Sequence, residues 1–153
     1  MRIKLVYTLF LLLSLNSYKS QEDNNLVLNP SFESIDGKLK KLNQINVAKD
    51  WYSPTSLKAD LFSSSIPGDI GTPENIYGKE FPKEGENYAG ILTYSYNNQK
   101  PRTYIQSMLI KPLASGLNYC VNIHVSLSDL SKYAIDNIGI HFSEEPVTLD
   151  KKG

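Results

Sequence analysis

The side chains of this chain best equipped for chemistry are Cys120, His124 and His141, its carboxylates, and a group of tyrosines that includes Tyr94 and Tyr96. A thiol and two imidazoles first suggest zinc. Cys120 and His124 share one face of a run with two-residue periodicity, which sets them about 13 Å apart at ~3.3 Å per residue. Two ligands of one zinc ion, each about 2.0 to 2.3 Å from it, cannot stand so far apart. His141 would have to reach His124 from a neighbouring strand. Nucleophilic catalysis has no better footing: no Gly-x-Ser-x-Gly elbow occurs, and no obvious serine and carboxylate pair is set around either histidine. A glycosidase needs two carboxylates across a cleft, and among 16 acidic residues no pair is singled out by spacing. The chain therefore reads as non-enzymatic.

Recognition is the better-supported chemistry. Sugars are bound by aromatic faces laid on apolar ring surfaces, with amides and carboxylates taking the hydroxyls. Trp51, Tyr52, Tyr94 and Tyr96 are the candidate faces, and Asn97, Asn98 and Gln99 follow the last of them. With ten tyrosines in the chain, exposed aromatics are expected on numbers alone, so each also has a structural reading. Trp51, the single tryptophan, is either a buried anchor or a stacking face.

Residues 1–20 read as an export signal, because Arg2 and Lys4 precede an apolar run from residue 5 to 15 followed by small and polar residues. The run is about half the ~20 apolar residues that a membrane span requires. No span is expected once the signal is removed, and residues 21–153 form the β-sandwich domain. Arg2, Lys4 and Lys19 fall inside the signal, so 13 of the 16 basic residues face 16 acidic ones in the remainder, a net charge of −3. That balance argues against a nucleic-acid partner. Lys38, Lys40 and Lys41 beside Gly37 are a basic cluster in a turn. Cys120 has no partner for an internal disulfide, and a domain of this size can bury a core without one.

These side chains must be positioned by strands. In residues 117–127, Tyr119, Val121, Ile123, Val125 and Leu127 alternate with Cys120, Asn122, His124 and Ser126, the pattern of a strand with one buried face. Residues 104–111 precede it as a second strand, and Pro112 and Gly116 turn the chain between them, glycine supplying a positive φ. Further short strands are expected at residues 26–28, 31–33, 57–62, 88–96 and 138–142. Between them, residues 63–87 form a long turn-rich stretch suited to a binding surface or a flap. Short strands between turns, without a helical period beyond residue 20, predict an all-β sandwich.

The stretch Asn25-Leu-Val-Leu-Asn-Pro-Ser-Phe-Glu33 resembles the opening strand of galactose-binding-like jelly rolls, the fold of many carbohydrate-binding modules. Together with Trp51-Tyr52, Tyr88-Ala-Gly-Ile91, Tyr104-Ile-Gln106, Tyr119-Cys-Val121, Val125-Ser-Leu127 and residues 131–139, it resembles the N-terminal region of OmpA-like outer-membrane proteins of Gram-negative bacteria. The resemblance implies an exported, outer-membrane-associated, periplasmic or extracellular jelly-roll module with a glycan or another envelope protein as partner; the alternatives are a purely structural N-terminal fragment of an OmpA-like envelope protein and, more distantly, a hydrolase accessory domain. It also implies a structural Ca²⁺, for which Glu33 matches the acidic residue ending the first strand and Asp136 is a loose stand-in. In those relatives the jelly roll continues with further strands, and a peptidoglycan-binding domain commonly follows. On that comparison the domain is expected to be incomplete at its C-terminus, leaving strand edges uncovered and the isolated chain prone to associate.

Overall fold

A computed structural model describes residues 25–149; the expected signal lies outside the described residues. Regular structure is strand apart from two single-turn 3-10 helices, so the described residues are all-β. Six short strands make three antiparallel ladders. β1 (Trp51–Tyr52) pairs with β6 (Gln106–Ser107), β2 (Asp60–Ser63) with β5 (Asn87–Gly90), and β3 (Glu74–Asn75) with β4 (Gly78–Lys79). Isolated bridges join Val27 to Leu109 and Ile35 to Ala48.

The core sits where β2 crosses the turn at Ile45–Val47. Leu61 points into it and meets Ile45, Ala48 and Ala59, all essentially inaccessible, with Phe32, Leu39, Val47, Trp51, Ala89 and Ile105 packed around them. Because successive strand residues face opposite ways, Asp60 and Phe62 lie on the other side of β2, opposite Gly90 and Tyr88 of β5. Phe62 stacks on Tyr88 with centroids 5.0 Å apart and meets the edge of Tyr77 at 6.0 Å. Gly90 makes this possible: a Cβ there would lie 2.6 Å from Cε2 of Phe62. The ring occupies the space that a larger residue would take.

The long turn-rich stretch is folded rather than a loose flap. It contains the β3–β4 hairpin, and amides of Ser63, Ser64, Gly71, Ile76 and Glu80 donate to main-chain carbonyls of the same stretch. The hairpin is held from outside as well. The amide of Lys79 donates to Asp129 Oδ2 at 2.8 Å, the Ser128 hydroxyl to the Tyr77 carbonyl at 2.6 Å, and the Leu130 amide to that carbonyl at 3.2 Å.

The expected pair of strands at 104–111 and 117–127 does not form a ladder. The turn between them forms, with Gly116 at φ 78° and the Leu117 amide donating to the Ala114 carbonyl. Only Gln106–Ser107 enters a ladder, however, and its partner is β1. Residues 118–127 and 138–142 pair with nothing among the described residues and are exposed. Alternation determines which side chains share a face once a segment is extended; a ladder also requires a second backbone at the right distance, and none lies there. Likewise residues 26–28 contribute only the bridge at Val27, and 31–33 are diverted by left-handed backbone at Asn29 (φ 48°) and Phe32 (φ 65°). Among the described residues no helix is long and apolar enough to cross a membrane.

Candidate functional site

Trp51 is an anchor. Its ring lies 4.7 Å from that of Phe32, and its Nε1 donates to the Asn29 carbonyl at 2.7 Å, across a turn that the Phe32 amide closes with a 3.1 Å bond to the same carbonyl. The indole, half-buried, thus ties the first described segment to the core. Tyr52, next on β1, is 48% exposed.

Tyr94 and Tyr96 come closer to a recognition surface. Tyr94 meets Tyr133 edge to face, with centroids 5.0 Å apart and planes at 70°. Both rings remain about half exposed, and Tyr96 is more exposed still at 58%. Tyr96 opens the 3-10 turn Tyr96–Asn98, in which Asn97 (φ 52°) and Asn98 (φ 53°) take left-handed backbone, a conformation asparagine tolerates better than most residues. Ser95 closes this turn by donating its hydroxyl to the Lys100 carbonyl at 2.7 Å and accepting from the Lys100 amide at 3.0 Å. The exposed amides of Asn97, Asn98 and Gln99 therefore stand on a fixed turn beside an aromatic corner. Tyr133 escaped sequence reading because it lies far along the chain in a polar stretch with no periodicity.

Asp60 was missed for a related reason. It is nearly buried and its Oδ1 accepts from the Asn43 amide at 2.6 Å, holding the left-handed turn at Asn43 (φ 63°). Burial pushes its carboxyl above the ordinary range, opposed by the Asn43 amide and by the charge of Lys100. Tyr77 is raised by burial and then by the charge of Asp60; Tyr88 is raised by burial, against the hydrogen bond from Asn75 at 2.6 Å. These groups are partnered within the fold and converge on no open cleft. A separate shallow hollow of about 300 Å³ is lined by Ile35, Leu39, Ile66, Lys38, Lys40 and neighbouring serines.

Glu33 holds backbone amides. Its Oε1 accepts from the amides of Glu86 and Asn87, each at 2.9 Å, and Asn87 in turn donates its side-chain amide to the Phe32 carbonyl at 3.1 Å. Gly85, at φ 67°, completes the seat, since a Cβ there would collide with the Glu33 carboxylate. Asp136 lies exposed in a bend and forms no hydrogen bond or ion pair with this seat. Asn87 Oδ1 is the one buried side-chain oxygen without a partner among the described residues, and the two carboxylates expected to share a Ca²⁺ are not brought together. No group of three or more His, Cys, Asp or Glu side chains among the described residues could hold a metal ion. The residues at Glu33 do not fit a calcium shell. His124 and His141 are both exposed. Comparison with known proteins adds no relative: no protein family, curated protein or solved structure matches the chain.

Proposed function

We propose that the chain is an exported, non-enzymatic β-sandwich module of the cell envelope, built on a jelly-roll plan, that binds glycan at the aromatic corner of Tyr94, Tyr133 and Tyr96. The observation that carries this reading is the edge-to-face pair of Tyr94 and Tyr133, left half exposed beside a turn of three exposed amides. Two perpendicular rings offer a sugar one face for stacking and a wall against which to orient, and Asn97, Asn98 and Gln99 supply donors and acceptors for its hydroxyls. A jelly-roll plan is supported by antiparallel partners far apart in sequence, with β1 beside β6 and Val27 bridged to Leu109, since Greek-key connections bring such distant strands together.

The test is a glycan array probed with the full chain, followed by titration of the strongest ligand against Tyr94→Ala and Tyr133→Ala. Each variant should bind at least about fivefold more weakly, a loss of about 1 kcal/mol, with a melting temperature lowered by no more than the few degrees that loss of the ring pair explains. An empty array, or binding indifferent to both substitutions, would remove the glycan reading. Turnover in a broad esterase and glycosidase screen would replace it with an enzymatic one.

A further inference from the structure

Residues 117–127 carry the most regular alternation in the sequence, yet they lie outside every ladder. Leu117, Tyr119, Val121, Ile123, Val125 and Leu127 are between 42% and 67% exposed. Among the described residues, no main-chain amide or carbonyl from 118 to 127 is hydrogen bonded. The segment is nevertheless tethered at both ends. At one end Tyr119 accepts the Ala114 amide on its hydroxyl at 2.8 Å; at the other, Ser126 donates to Glu80, and residues 128–130 hold the β3–β4 hairpin. Six apolar side chains in one row, on the order of 600 Å² of exposed surface, stand at the upper end of the largest patch that a typical soluble monomer leaves exposed.

We infer that this segment is a self-complementary strand that pairs antiparallel with the same segment of a second copy, across a twofold axis through Asn122. The occupant follows from the sequence. An antiparallel register centred on Asn122 sets Leu117 opposite Leu127, Tyr119 opposite Val125 and Val121 opposite Ile123, so all six apolar residues become cross-strand neighbours on one face of the pair. On the other face Asn118 meets Ser126, Cys120 meets His124, and Asn122 meets its own counterpart. A slip of one residue would take all six apolar side chains away from one another and set most of them against Ser, His or Asn. Centring on Val121 puts Ser115 opposite Leu127, and centring on Ile123 puts Asp129 opposite Leu117. Charge agrees: no Lys, Arg, Asp or Glu occurs from Pro112 to Ser128, so the pairing meets no like-charge repulsion and lacks the charges that usually protect a strand edge. Such an interface is isologous and closes as a dimer. It rests on none of the residues proposed to bind glycan.

Sedimentation equilibrium of the full chain should show a concentration-dependent dimer. Val121→Lys, which sets a charge against Ile123 of the other copy, should weaken the dimer at least about tenfold. Because Val121 is exposed in the single copy, the melting temperature of the dilute monomer should not change. Register is read by oxidation: a Cys120→Ser, Asn122→Cys double variant should cross-link into a disulfide dimer. Native Cys120, offset from its counterpart by four residues or about 13 Å, should not. A chain monomeric at all concentrations, a dimer indifferent to Val121→Lys, or preferential cross-linking of native Cys120 would each overturn the proposal, the last by indicating a parallel or slipped pairing.

Discussion

Glu33 offers the sharpest test of the fold around the candidate site, because one of its carboxylate oxygens accepts two backbone amides more than fifty residues away. Glu33→Ala removes both bonds at once. The bond from Glu86 is solvent-exposed and is worth about 1 kcal/mol or less. The bond from Asn87 matters more, since Asn87 is only 6% exposed and its amide would be left without an acceptor, at a cost of about 1 to 3 kcal/mol. Together the substitution should destabilise by about 1 to 4 kcal/mol, lowering the melting temperature by roughly 3 to 15 °C for a domain of this size. Glu33→Gln keeps a neutral carbonyl acceptor and should lose only about 1 kcal/mol, the charge-assisted part. Thermal melts of the full chain with and without Ca²⁺ and EDTA are the assay, supported by limited proteolysis, which should cut faster between residues 80 and 87 in Glu33→Ala. If Glu33→Ala melts like the parent, the seat contributes nothing to the fold. Should EDTA destabilise the parent while leaving Glu33→Gln untouched, Glu33 is a calcium ligand and the reasoning from its amide partners is wrong.

Trp51→Phe should preserve the stack on Phe32 but take away the Nε1 donor to the Asn29 carbonyl, costing about 1 kcal/mol. Trp51→Ala should cost about 3 to 5 kcal/mol, and a Trp51→Ala chain that loses glycan binding but melts normally would show a ligand face instead. Asp60→Asn should change the pH dependence of stability in a defined direction. Burial holds the Asp60 carboxyl above its ordinary value, so the stability this group lends is complete below the unfolded pKa of about 3.9 and is lost as pH rises through the raised folded value. Melting curves of parent and Asp60→Asn should therefore lie closest near about pH 3, with the variant gaining on the parent toward about pH 7. A variant that instead loses ground as pH rises would mean that Asn43 and Lys100 outweigh burial.

What the sequence discloses and what it withholds divide along local and distant contacts. The turn at Gly116 is legible because its cause is local: a glycine free to adopt φ 78° between two apolar runs. The aromatic and amide character of residues 94–99 is legible for the same reason, as is the all-β class. Glu33 is visible as an acid, but its partners at Glu86 and Asn87 are brought to it by the fold, and nothing near Glu33 in the chain distinguishes an amide seat from a metal ligand. Tyr133 meets Tyr94 only because the chain returns there. Residues 117–127 carry this distinction furthest. Their alternation states which side chains would be buried together, a property of one segment; whether they are buried depends on a second backbone, which the segment cannot specify unless that backbone is its own. Because the run is nearly symmetric in polarity about Asn122 and free of charge from Pro112 to Ser128, its own sequence has the pattern that the inferred partner strand requires.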